Sequence, residues 1–130
     1  MTDIHYLVFS VVLAWLMIMV AGLLHTPTWT RRGATDAFGN RESLPEKSPL
    51  AARADRAAKN MNENLPLFIG LFLAARLAGA NAMPGAALFF FARLAYWPIY
   101  LTGIKYVRTL AWFGSLAGLL WLGLAALHVV

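Results

Sequence analysis

The sequence predicts an all-α integral membrane protein, a four-helix up-down bundle in a single domain over residues 1–130. Three observations predict it. Hydrophobic residues make up 60% of the chain and charged residues 13%, against roughly 45–50% and 25% in an average soluble domain. A soluble chain of 130 residues has no core large enough to hide that much apolar surface, whereas a bilayer accepts it. The apolar residues also fall into four long segments, with the basic residues gathered at the first and third junctions between them.

The first helix is expected at about residues 4–24. Its uncharged stretch Tyr6–Leu24 spans about 29 Å, the thickness of a hydrocarbon core, and Thr26-Pro27 ends it. Met1-Thr2-Asp3 is not a basic leader and no small-residue cleavage site follows, so the segment reads as a retained anchor. Residues 25–48 are polar, hold Gly33, Gly39 and Pro45, and show no apolar period; they are expected to form a cytoplasmic loop. Ser48-Pro49 supplies a cap and a first-turn proline for a second helix over about 49–78. That helix, about 45 Å long, outreaches the bilayer and should project into the cytoplasm. A turn rich in small residues, ending at Pro84-Gly85, leads to a third helix over about 85–102. Pro98 should kink it and Gly103 should cap it. The fourth helix is expected at about 106–128.

Arg31, Arg32, Arg41, Lys47, Arg53, Arg56, Lys59, Lys105 and Arg108 all fall on one side of such a bundle, nine of the 11 basic residues. The positive-inside rule puts that side in the cytoplasm of a bacterial inner (cell) membrane and both termini outside. Arg76 alone lies near the opposite end. The net charge of +5 flanks apolar segments rather than forming a run, which suits acidic lipid headgroups and not nucleic acid. There is no cysteine, so disulfides, thiolate metal sites and a cysteine nucleophile are excluded. His5, His25 and His128 sit at segment ends without ligand spacing and read as interfacial residues, with no metal site.

Three polar clusters stand where lipid should be. At the base of the second helix, Arg56, Lys59, Asn60 and Glu63 follow at i, i+3, i+4 and i+7, one helical stripe that Arg53 extends outward. They form either a salt-bridge ladder, with pairs such as Lys59–Glu63, or a seam for a zwitterionic or anionic ligand. In the third helix, Arg93 lies near the middle, with Tyr96 and Tyr100 on its face. A charge there must meet protein or water, so Arg93 either pairs with Glu63, in the same chain or across a subunit boundary, or binds an anion. At the start of the fourth helix, Arg108 and Thr109 either anchor the chain or hold and activate a nucleophile at a positive helix end. Gly114-x-x-x-Gly118 and Gly70-x-x-x-Ala74 permit close helix contact or an oligomer. The run Phe89-Phe90-Phe91 reads as lipid-facing or packing surface.

The stretch Arg56-Ala57-Ala58-Lys59-Asn60-Met61-Asn62-Glu63, followed by Pro66 and Phe68, resembles the second helix of the MAPEG family, membrane-associated proteins of eicosanoid and glutathione metabolism. Arg93 with Tyr100 seven residues on looks like that family's third helix, and Arg108 falls where its fourth begins. Gly39-Asn40-Arg41-Glu42 and Arg53-Ala54-Asp55-Arg56 look like its bacterial branch. The resemblance implies a homotrimer that binds glutathione between adjacent subunits at the cytoplasmic side. Arg53, Arg56, Lys59, Asn60, Glu63, Arg93, Tyr96 and Tyr100 would bind it. Arg108 would stabilise its thiolate with Thr109 beside it, and a lipophilic small molecule would enter from the membrane lipid. The chain carries Thr109 and Trp112 where some members have serine and tyrosine, and Lys59 where several have arginine. Two functions follow from the resemblance. One is a glutathione transferase or peroxidase, adding the thiolate to a lipophilic electrophile or reducing a lipid hydroperoxide. The other is a non-enzymatic lipid-binding or scaffold protein of the same fold. A small transporter fits less well, because no inverted repeat is visible.

Overall fold

A computed structural model describes residues 1–39 and 44–130. Among the described residues the chain is all-helical, with five α-helices: α1 (Asp3–His25), α2 (Arg31–Phe38), α3 (Pro49–Leu77), α4 (Met83–Thr102) and α5 (Lys105–Ala126). Most of the Gly39-Asn40-Arg41-Glu42 motif lies outside the described residues.

Several of the helices start where local side chains satisfy free backbone amides near the first turn. The Thr2 amide of the α1 cap donates to His5 Nδ1 at 3.2 Å, and Asp3 adds a negative charge at the positive end. The Ser48 hydroxyl accepts from the Ala51 amide at 3.1 Å ahead of Pro49. At α4 the Asn81 carboxamide accepts from the Met83 amide at 3.1 Å, and Pro84 occupies the first turn. This helix therefore begins two residues before the expected Gly85. Gly103, at φ 79°, ends α4 in the left-handed conformation that favours glycine.

The segment expected to be loop over 25–48 contains α2, which corrects that expectation. No apolar period announces this helix. It is made by local bonds instead: Thr30 accepts from the Gly33 amide at 3.0 Å and donates to the Pro27 carbonyl at 2.9 Å. Gly33 lies so close to that turn that a Cβ would sit 1.9 Å from the Pro27 oxygen.

The long helices run antiparallel to their neighbours. Asp3, at the start of α1, pairs with Arg76, at the end of α3, at 3.1 Å. His25, at the end of α1, donates to the carbonyl of Pro45, just before α3, at 2.8 Å. Arg53, near the start of α3, donates to the carbonyl of Leu101, near the end of α4, at 2.9 Å. The backbones of α4 and α5 approach closely. A Cβ on Gly118 would meet the Gly85 oxygen and the Phe89 nitrogen, each at 2.8 Å. The Gly114/Gly118 spacing thus serves packing within the chain, whereas Gly70 faces open space. Phe89 stacks on Phe68 with ring centroids 4.2 Å apart in the core, and Phe91 is exposed, so the phenylalanine run divides between both roles.

α1 and α5 are long and apolar enough, by length and composition, to cross a membrane. Val8, Val11, Val12, Trp15, Ile18 and Met19 of α1 and Leu120 and Trp121 of α5 are exposed, an outward apolar surface suited to lipid. Of the helices holding the other two expected spans, α3 carries charges from Arg53 to Glu63 in its first half and Arg76 in its last turn, and α4 carries Arg93 near its middle.

Asp55, early in α3, sits between Lys47 at 3.0 Å and Lys59 at 3.1 Å. Burial pushes its carboxyl pKa up, but the hydrogen bonds and charges of the two lysines outweigh this and hold it below the usual value. A carboxyl depressed by folding stabilises above the unfolded pKa, about 3.9, and that contribution is lost as the pH falls through the folded value. Asp55→Asn should lower thermal stability at neutral pH by no more than about 1 kcal/mol. The gap to the unaltered chain should close on acidification below about pH 4, which thermal unfolding across a pH series reads directly. Gly118→Ala should cost about 1–3 kcal/mol by overpacking the α4–α5 contact. Gly22→Ala, with nothing within 4 Å of the new Cβ, should stabilise by up to about 1 kcal/mol; the same melting experiment checks both signs.

Candidate functional site

Three helices meet where the inner turns of α3, the second half of α4 and the start of α5 converge. Between them is a cavity of about 260 Å³ lined by Asn60, Tyr96, Tyr100, Arg108, Thr109 and Trp112. Helical spacing explains the lining. Tyr96 and Tyr100 are one turn apart on α4, and Arg108 and Trp112 one turn apart on α5 with Thr109 beside them, so both helices turn one face toward the same space. The two-residue turn Gly103-Ile104 brings the start of α5 beside the end of α4.

The electrostatics are one-sided. Among the described residues, Arg108 is the one charged residue in the lining, and no carboxylate lines the cavity. Its guanidinium carbon stands 4.8 Å from the centroid of the Tyr100 ring, a cation–π distance. The Tyr100 hydroxyl accepts from Arg56 Nε at 3.3 Å, and its ring packs edge-on to Tyr96 at 5.3 Å. The Thr109 hydroxyl donates to the Lys105 carbonyl at 3.2 Å, so its hydrogen is committed to its own helix.

Arg93 lies behind this cavity. It is fully buried, and its Nη1 donates to Asn60 Oδ1 at 2.6 Å. Its guanidinium carbon is 5.6 Å from the Phe89 ring and 5.2 Å from the Tyr96 ring. Its Nε and Nη2 have no hydrogen-bond partner among the described residues. The anticipated Arg93–Glu63 pair does not form in the chain, because Asn60, one turn closer to the start of α3, reaches the guanidinium while Glu63 is exposed.

The structure splits the α3 stripe. Asn60 enters the cavity and Arg56 reaches its Tyr100 wall. Lys59 turns away to Asp55, so the Lys59–Glu63 ladder is replaced by Lys59–Asp55. Arg53 is engaged with the Leu101 carbonyl and does not line the cavity. The reason is angular: Lys59 is rotated by about 100° from Asn60, far enough to face α1 instead of α4. Trp112 is a wall residue that the sequence reading did not assign to the site; its place four residues after Arg108 was the available signal. A second cavity, about 540 Å³, lies among α1, α2 and α3, with Ile18, Gly22, Lys47, Asp55 and Lys59 in its walls. Without α2 the sequence had no way to enclose it.

A search of curated proteins finds no match to the chain. The model of the MAPEG family matches residues 5–128. That match takes in the long helices, save the first two residues of α1, and every residue of the cavity lining, and it agrees with the α3 motif, the Arg93–Tyr100 spacing and the position of Arg108: the chain belongs to the MAPEG family.

Proposed function

We propose that this protein is a membrane-bound glutathione transferase or peroxidase, with the α3–α4–α5 cavity as its thiol site. The observation that carries this reading is the cavity's donor-rich lining, with no carboxylate among the described residues: Arg108, the Tyr96 and Tyr100 hydroxyls and Asn60. Such a set favours a ligand with negative charge. Glutathione offers two carboxylates and, once deprotonated, a thiolate.

In this reading all four long helices cross a bacterial inner membrane, both termini lie outside, and the cavity opens near the cytoplasmic leaflet. The active form is a homotrimer. Glutathione sits in a site shared between copies, where the exposed Glu63 accepts from its ammonium. Arg56 adds positive charge beside the cavity through its bond to Tyr100. Arg108 stabilises the thiolate at the N-terminal end of α5, where the helix dipole adds to its charge. Lowering a thiol pKa by two units takes about 2.7 kcal/mol of preferential anion stabilisation, within reach of one guanidinium in a water-poor site. The thiolate sulfur then attacks a lipophilic electrophile delivered by the bilayer. With an aryl halide, a carbon–sulfur bond forms and halide leaves. With a lipid hydroperoxide, the sulfur takes the terminal oxygen as the O–O bond breaks, leaving the lipid alcohol and a sulfenic acid, which a second glutathione converts to the disulfide with release of water.

A second reading, a lipid-binding or scaffold member of the family, draws support from Thr109, whose hydroxyl hydrogen is spent on its own helix. Calorimetry on the detergent-solubilised protein separates the two: heat of binding at millimolar glutathione supports the thiol site, and its absence supports the scaffold. For the enzyme reading, Arg108→Ala should lower kcat/KM for glutathione conjugation to an aryl halide by about 10²-fold. It should also move the apparent pKa of the pH–rate profile up toward the free-thiol value of about 8.5. Unchanged activity in that variant removes the role given to Arg108.

A further inference from the structure

Arg93 touches none of the space in which the proposed chemistry would occur, yet it is fully buried and bonded to a residue that does. A guanidinium has only donors. A carboxamide placed 2.6 Å from it must therefore turn its oxygen inward, since an amide nitrogen there would set donor against donor. The opposite end of the same carboxamide is the NH2 group. Asn60 lines the cavity and its oxygen is taken, so the nitrogen is the end left for the cavity.

We infer that Arg93 is a positioning residue: it locks the Asn60 carboxamide in one of its two orientations, so that the cavity wall at α3 presents a hydrogen-bond donor. The consequence is a rule of selection. An unconstrained asparagine offers a donor or an acceptor by rotating half a turn, and so serves either kind of ligand. A locked one accepts only a ligand that brings an acceptor to that point, such as a carboxylate, a thiolate or a carbonyl oxygen. It turns away an ammonium, which has donors alone. The Phe89 and Tyr96 rings beside the guanidinium keep it in place without supplying an acceptor that would compete with Asn60. Arg93 acts through Asn60 and does not touch the ligand.

The inference rests on the thiol-site reading for its ligand but not for its geometry, and the test separates the two. Three substitutions are made in the full chain in detergent: Arg93→Lys, Arg93→Gln and Arg93→Met. Lysine has only donors and keeps the lock. Glutamine offers both a donor and an acceptor and frees it. Methionine fills similar space, carries no charge and frees it. Glutathione affinity by calorimetry should stay within about 3-fold of the unaltered chain for Arg93→Lys and fall at least 10-fold for Arg93→Gln and Arg93→Met. The Tm should move the other way for Arg93→Met, which removes a buried, partly unpaired charge and should melt no lower than the unaltered chain. A residue that only fills space would lose affinity in step with stability, so full affinity in Arg93→Met overturns the inference. Where the unaltered chain itself binds no glutathione, the thiol-site reading fails and the lock is read from stability alone. Asn60→Leu should then lower Tm in the Arg93 background and leave it unchanged in the Arg93→Met background. Equal shifts in both backgrounds overturn the lock.

Discussion

One buried charge sets the terms for the rest of this structure. Arg93 stands near the middle of α4, fully buried, with rings on two sides and one carboxamide within bonding reach. An arginine taken out of water is costly unless it is hydrogen-bonded or paired, so α4 turns this face to protein that can answer it. That requirement pins α4 against α3 at Asn60. Antiparallel chain direction then brings the start of α3 to the end of α4, where Arg53 reaches the Leu101 carbonyl and Arg56 the Tyr100 hydroxyl. The cavity is what remains between these fixed contacts once α5 folds back along α4.

The second constraint is steric and sits at the opposite end of the same pair. Gly85 and Gly118 let α4 and α5 approach until a methyl group has no room. Contact there and a two-residue turn at the other end leave α5 little freedom to rotate. Arg108 and Trp112 are accordingly held toward α4, although neither is fully buried. Packing far from the cavity thus decides which side chains face it.

The sequence was legible where the physics is periodic. Caps at Ser48 and Gly103, four apolar segments and the i, i+4 and i+7 spacings announced four of the helices and most of the cavity residues, among them Asn60, Tyr96, Tyr100 and Arg108. It was illegible where the outcome turns on a local bond or on a choice between partners. α2 is made by Thr30 and a glycine against Pro27, with no hydrophobic pattern to mark it. Lys59 lies within one turn of both Asp55 and Glu63; spacing alone leaves that choice open, and in the fold it goes to Asp55, whose carboxylate it shares with Lys47. Arg93 lies at a depth where either Glu63 or Asn60 could answer it, and helix rotation, which no single segment encodes, settles on Asn60.

The turn Gly103-Ile104 acts as a ruler. With only two residues between α4 and α5, the left-handed glycine sets the phase at which the last helix begins. Each residue of an α-helix carries the chain through about 100° and 1.5 Å. Were one more residue inserted there, every side chain of α5 would shift phase by that angle, and the guanidinium now over the Tyr100 ring would face away from it. Spacer length in this hairpin is therefore part of the cavity's chemistry, as much as any side chain in its wall.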